Sequence, residues 1–222
     1  MSKCKVIKLT GLDLLHRANS FTTGRESKMS LTTAYRYGHS PIRTQLFWIE
    51  LTDIPLFVAS QLVRSHVGVQ FFQRSKRTDR GGEDFSKECA DLFFSLEDLI
   101  ICSSPGMDED EAGKYADKLS EIQKRIAGLP NRFDRYAPTD LAFIINAEAL
   151  MNMAHKRLCT KASAETRAVM ILIRSEIAKD DVDPDLAMHL VPQCVYRGGI
   201  CPEPKSCGKN ITSGDLIDKL YK

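Results

Sequence analysis

Residues 140–159 read DLAFIINAEALMNMAHKRLC. Phe143, Ile144, Ile145, Leu150, Met151 and Met153 make the stretch densely apolar. The pattern predicts one strong helix, capped by Thr139 or Asp140 and running through Leu158. Two polar side chains interrupt it. Asn146 and Arg157 are eleven residues apart, about three turns at 100° per residue, so both face one way. Burying such a pair without partners costs a few kcal/mol. No acidic residue stands four positions from Arg157. Its acceptor is therefore either a ligand or a distant carboxylate such as Glu165.

Upstream, TQLFWIEL at 44–51 suits a strand or the start of a buried helix. Asp53 reads as a cap and Pro55 as a first-turn proline of a helix IPLFVASQLVRSH. VGVQFFQRSKR reads as extended, until the RGG at 80–82 breaks it. The stretch from Gln61 to Arg80 gathers Arg64, Arg74, Lys76, Arg77 and Arg80. Gln61 and Arg64, three apart, share a face of the expected helix. Gln73, Ser75 and Arg77 share a face of the extended segment. An amide, a hydroxyl and a guanidinium pointing one way make a cradle for phosphate or carboxylate; the plain alternative is a solvated basic edge. Gly38-His39-Ser40-Pro41-Ile42-Arg43 is a turn carrying a histidine and an arginine.

Downstream, 83–103 is helical in period, SSPGMDED is a turn, and a charged helix spans about 109–127 until GLPN at 128–131 ends it. That helix is expected to face solvent or another subunit. Lys161–Lys179 and Asp183–Leu190 are further helices, the second with Pro184 near its first position. From Val191 the chain has the composition of a loop. There is no regular strand–helix–strand repeat and no glycine-rich phosphate loop. The expected architecture is α/β (α+β): a single domain over 1–222 with a Cys/Pro/Gly-rich tail at 191–222.

Composition narrows the function. The 222 residues carry 31 Lys+Arg against 29 Asp+Glu, a net charge of +2. That balance argues against bulk nucleic-acid binding but not against a local anion site. No apolar run is long enough for a membrane span, and charge interrupts the first residues too often for a secretory segment. A cytoplasmic protein is expected, with no membrane and no nucleic-acid partner. Seven cysteines at 4, 89, 102, 159, 194, 201 and 207 are expected as reduced thiols. Cys194, Cys201 and Cys207 follow C-x6-C-x5-C, without the close pairs usual in structural zinc sites, so no metal is expected.

Three blocks in order carry a resemblance. Arg64-Ser65-His66, then Val67 to Arg74, then Ser75-Lys76-Arg77 is similar to R-H-R, seven residues, S-x-R. Asn146-Ala147-Glu148-Ala149-Leu150 through Arg157, then Ala162-Ser163-Ala164-Glu165, is similar to an Asn-Ala-Arg-x-Leu helix leading to Arg and Ala-Gln-x-Glu. His39-Ser40-Pro41-Ile42-Arg43 is similar to a His-x-Pro-Phe-Glu turn. Together these resemble the flavin-dependent thymidylate synthases, the ThyX family, and most closely its phage-type members. The likeness covers about 35–80 and 130–195. The departures are R-S-H for R-H-R, one extra residue before Ser75, Arg43 for Glu, Glu148 for Arg, Thr78 for Tyr and Ser163 for Gln. Arg43 and Glu148 suggest an exchanged charge pair.

The resemblance implies a mixed sheet with long helices and a homotetramer with FAD and nucleotide sites between subunits. Asn146 and Asn152, about 240° apart on one helix, fit such a shared site. It implies FAD contacts from His39, Ser40, Arg64, His66, Asn146 and Asn152. It places a pyrimidine deoxynucleotide on Gln61, Gln73, Arg74, Ser75, Arg77 and Arg135. Arg157 would bind that substrate and act as the catalytic residue, its guanidinium stabilising charge that develops toward N1 and O2 of the ring. NADPH would be the reductant and methylenetetrahydrofolate the carbon donor, giving dTMP from dUMP, in the host cytoplasm if the chain is phage-encoded. The alternatives are a pyrimidine deoxynucleotide hydroxymethylase acting on dUMP or dCMP, and a non-catalytic homologue binding an anion or nucleic acid. Cys159, two residues past Arg157, is the rival nucleophile.

Overall fold

The computed structural model describes residues 2–75, 90–96, 99, 108–133 and 135–221. The chain forms two compact units, residues 1–73 with 139–222, and residues 74–138.

The first unit is built on a four-stranded sheet in the order β1-β2-β4-β3. β1 (Lys3–Lys8) pairs antiparallel with β2 (Leu46–Pro55), Val6 opposite Ile49. β3 (Val69–Gln73) pairs antiparallel with β4 (Pro138–Asn146), Phe71 opposite Phe143. The alternation is clean: Phe47, Ile49 and Leu51 of β2 and Leu141, Phe143 and Ile145 of β4 are buried, as period-two side chains of a half-covered sheet must be. Asp53 breaks β2's rhythm with φ 57, a left-handed conformation that aspartate tolerates better than most residues. Its backbone N–H donates to Asp140 Oδ1 at 3.0 Å.

The helix expected over 139–158 is therefore a strand followed by a helix. β4 takes Thr139 to Asn146, and α6 spans Ala147–Arg157. A short apolar run does not distinguish strand from buried helix by periodicity alone; here the β-branched and aromatic residues 143–145 favour the sheet. Asn146 marks the change of state. Its backbone is extended, and its side chain accepts from Ala149 N at 2.9 Å, making it the N-cap of α6.

Around this core lie α1 (Leu12–Thr23), α2 (Leu31–Tyr37), a 3-10 turn (Ser40–Thr44) and α3 (Leu56–Leu62). Pro55 is the N-cap residue of α3 rather than a first-turn residue, and Asp53 does not cap it. α7 (Ala164–Ile177) follows α6, capped by Ser163, and α8 (Pro184–His189) is capped by Asp183 with Pro184 leading. Asp183, buried, also accepts from Lys8 Nζ at 2.7 Å and Tyr35 Oη at 2.8 Å. One carboxylate thus joins β1, α2 and α8. Burial, then the Asp183 charge, pushes the Tyr35 phenol far above its ordinary range.

The tail is more than a loop. α9 (Gln193–Tyr196), a parallel pair of β5 (Ile200–Cys201) and β6 (Ile211–Thr212), and α10 (Ser213–Tyr221) organise it. Two-residue strands and a four-residue helix are too short to leave a periodic signal.

The second unit holds α4 (residues 90–96) and α5 (Glu109–Phe133). Leu92, Leu99 and Ile122 form its core, with Leu96, Tyr115 and Leu119 packed against them. Tyr115, Leu119 and Ile122 are one helical stripe, so α5 faces its own unit rather than only solvent. It also runs through Gly128 to Asn131, where the sequence signals a stop. The expected break at 80–82, the remainder of the 83–103 helix and most of the SSPGMDED turn lie outside the described residues.

Candidate active site

Several of the residues singled out from the sequence lie at the two ends of α6. At its start, the turn bearing His39 and Ser40 meets the first helical turn. Arg43 Nε donates to Glu148 Oε2 at 2.5 Å and Nη2 to Oε1 at 3.2 Å. This is the exchanged charge pair, in bidentate geometry. Glu148, the first-turn acid of α6, also suits the positive end of the helix. Hydrogen bonding to Glu148 raises the Arg43 pKa further. Ala147 N donates to Gln45 O at 2.9 Å, and Asn146 N donates to Gly68 O at 3.1 Å. Gly68 has φ 75, and a Cβ there would lie 2.5 Å from Asn146 Nδ2 and 3.1 Å from Ala149 Cβ. Only glycine fits this approach.

His39 and Ser40 are exposed at the turn, with the His39 ring stacked on Tyr37 at 6.1 Å. Asn152 is exposed on α6. It does not share the environment of Asn146, whose oxygen is committed to the cap.

At the other end, Arg157 Nη2 donates to the Gln61 carbonyl at 2.5 Å. Ser163 Oγ donates to Thr166 Oγ1 at 2.8 Å, which donates to Gln61 Oε1 at 2.9 Å. This relay fixes the Gln61 amide with its oxygen turned toward α7. Serine at 163 thus has a use of its own, which the comparison with glutamine at that position concealed. Arg157 Nε is buried and has no partner. Desolvation, then the nearby Arg64 charge, lowers the Arg157 pKa. A fixed, partly desolvated guanidinium with a second cation beside it is suited to an anion or to charge developing on a planar ring.

Arg64 does not share a helix face with Gln61 as expected. α3 stops at Leu62, and Arg64 lies in the following turn, where its carbonyl approaches His66 Nδ1 at 3.2 Å. From this turn the Arg64 charge acts on Arg157. Gln73 ends β3, and its Nε2 lies 3.5 Å from Thr139 Oγ1. The extended segment ends there, so the common face expected for Gln73, Ser75 and Arg77 is not continued by the strand. Arg74, Ser75 and Arg135 belong to the second unit, each with protein partners, and the Arg135 guanidinium lies over Tyr136 at 5.4 Å. Arg77 lies outside the described residues.

One participant gave no signal in the sequence. His155, buried on α6, stacks on Tyr196 at 4.4 Å and has an unpartnered Nε2. Its burial against the tail depends on α9, which the sequence showed only as loop. Cys159 is half-buried just beyond the end of α6. A cleft of about 650 Å³ lies between this end of α6 and the tail, lined by Arg157, Cys159 and His155 among others. Among the described residues no helix is long and apolar enough to cross a membrane.

The family model described as thymidylate synthase complementing protein matches residues 13–181. No curated protein matches the chain. The matched span contains all three sequence blocks, three of the four strands of the sheet (β2, β3 and β4) and both ends of α6. With the mixed α/β fold and these blocks in order, the chain belongs to the thymidylate synthase complementing protein family, the flavin-dependent ThyX type, and so to an enzyme family of thymidylate synthase type.

Proposed function

We propose that this chain is a flavin-dependent thymidylate synthase that methylates C5 of dUMP to give dTMP. The observation that carries the reading is Arg157: fixed through the Gln61 carbonyl, partly desolvated, with a buried Nε that has no partner among the described residues. An orphaned buried donor costs about 1–3 kcal/mol. A ligand acceptor offsets that cost.

C5 of a pyrimidine becomes nucleophilic as negative charge moves toward N1 and O2. Arg157 is already oriented for that charge, so little reorganisation accompanies the reaction. Arg64, exposed beside it, adds a second positive charge for the phosphate or ring. The Gln61 amide, held by Thr166, keeps its Nε2 donors for the base or sugar. When bound, reduced FAD supplies the hydride and methylenetetrahydrofolate the carbon. His39, Ser40, His66 and Asn152 are exposed polar groups open to FAD, and Asn146 retains its Nδ2 donors after capping α6. NADPH is the proposed reductant. No protein nucleophile is required, so Cys159 has no covalent role.

A homotetramer fits the uncovered face of the sheet. Ile7, Trp48 and Phe72 share that face; Ile7 is 41% and Phe72 49% exposed. Apolar area of this kind marks an interaction surface. Light scattering at the elution peak tests it, and a monomer at working concentration rejects it.

The function is tested by incubating the protein with FAD, NADPH, methylenetetrahydrofolate and either dUMP or dCMP, then weighing the nucleotide. A methyl gain on dUMP supports the synthase. A hydroxymethyl gain on either base supports the sister reaction, for which R-S-H in place of R-H-R, with Arg43 and Glu148, are the motivating changes. Colourless protein with no product and salt-sensitive oligonucleotide binding supports the non-catalytic homologue and rejects both.

A further inference from the structure

The tail brings together residues that sequence spacing keeps apart. Cys194, Cys201 and Cys207 line the cleft at the end of α6, and Cys159 lines it from the helix side. All four are free thiols. Cys201 is buried, Cys159 and Cys194 are half-buried, and Cys207 is exposed at the rim. The C-x6-C-x5-C spacing alone argued against zinc; the fourth thiol comes from 35 residues upstream of Cys194.

Three further observations bear on what four thiols round one cleft would hold. Among the described residues no group of three or more His, Cys, Asp or Glu is arranged to hold a metal ion. A cluster differs from an ion in taking one thiolate at each iron, so its ligands spread round a cavity. The cleft also carries Lys156, Arg157, Lys161, Arg167 and Lys209 against one acid, Glu203. A tetrathiolate cluster is an anion, and this excess of cations complements it. Finally, His155 is over nine-tenths buried on the lining, with Nε2 unpartnered. An N–H donated to cluster sulfur is a standard means of tuning such a centre.

We propose that Cys159, Cys194, Cys201 and Cys207 ligate an iron–sulfur cluster of the four-iron class, which pins the tail to the end of α6. Each thiol loses its proton as it binds an iron, and the iron and sulfide come from cellular cluster assembly; no electron transfer is needed for ligation. Three of the four thiols lie beyond the family-matched residues, while Cys159 and the Arg157 side of the cleft lie within them, so the centre would border the proposed active site and is read out separately from flavin and product.

The test is iron, acid-labile sulfide and zinc content per chain, for full-length protein purified and reconstituted anaerobically with ferric iron, sulfide and dithiothreitol, which reduces part of the iron to give the mixed ferric–ferrous core. Acid-labile sulfide separates the centre from flavin colour. About four irons and four sulfides per chain, with a paramagnetic signal on dithionite reduction, are expected. Cys207→Ser, at the exposed rim, is expected to lower both contents severalfold, and the Cys194/Cys201/Cys207→Ser triple variant to abolish them. Circular dichroism of each variant checks that loss of iron is not loss of fold. Wild-type protein with no iron and sulfide above the triple variant overturns the proposal. So does stoichiometric zinc without sulfide.

Discussion

The two ends of α6 are eleven residues apart and chemically opposite. At the N-terminal end the framework is tied to protein: Asn146 Oδ1 caps α6, Glu148 holds Arg43, and the backbone N–H groups of Asn146 and Ala147 reach Gly68 and Gln45, while Gln45 Oε1 is buried without a partner among the described residues. At the C-terminal end Arg157 Nε and His155 Nε2 are buried and unsatisfied. Buried polar groups in native proteins are ordinarily paired. The contrast teaches that the first end is built for position and the second for something that is not protein. Substitutions at the first end should change stability, and those at the second should change chemistry.

The sharpest division comes from Arg157→Ala. Turnover should fall about 10²–10³-fold, the usual effect of removing one preorganised electrostatic donor, while the melting temperature changes little. A large loss of stability with normal turnover per folded molecule would break the comparison. Gly68→Ala tests the other end. The new Cβ collides with Asn146 and the residue keeps a positive φ, so a loss of at least about 1 kcal/mol is expected in denaturant unfolding. Asn146→Ala removes the cap and should cost about 1 kcal/mol in the same measurement.

A pH series refines the C-terminal end. Burial, then the Arg197 charge, lowers the His155 pKa below its ordinary 6.5. The unfolded chain then binds the proton more readily, so stability is full above about 6.5 and falls as pH drops toward the folded-state pKa. His189 is shifted the same way, mainly by burial. His155→Phe should therefore reduce the acid-side slope of melting temperature without abolishing it. The smallest effect is at the exposed charge pair. Arg43→Glu alone should lower the melting point slightly, and Arg43→Glu with Glu148→Arg should restore it, with the difference shrinking in high salt.

The sequence made the Arg43–Glu148 charge pair legible because the turn and helix blocks stand in a known order, whereas the bond from Arg157 to the Gln61 carbonyl left no sequence signal. Element types were legible where the apolar period was long or flanked by caps: α7, and α8 with its Asp183-Pro184 start. They were not where two signals overlapped. Residues 140–146 are apolar at nearly every position, so strand and helix fit equally well until pairing with β3 decides. Pro130 signals a stop, yet α5 continues, with the stripe of Tyr115, Leu119 and Ile122 packed on its own unit. His155 was invisible because its burial depends on tertiary contact with Tyr196, 41 residues later.

The place of β4 has a consequence for how the chain is made. It lies between β2 and β3, yet residues 74–137 are synthesised before it. Until β4 leaves the ribosome, β2 is paired only with β1 and β3 has no neighbour in the sheet. Both present open edges. Closing them requires a long excursion of chain, a costly and slow class of contact. The rate-limiting event in folding of the first unit is then insertion of β4, and the nascent chain is most prone to aggregate in the interval between translation of Gln73 and of Asn146.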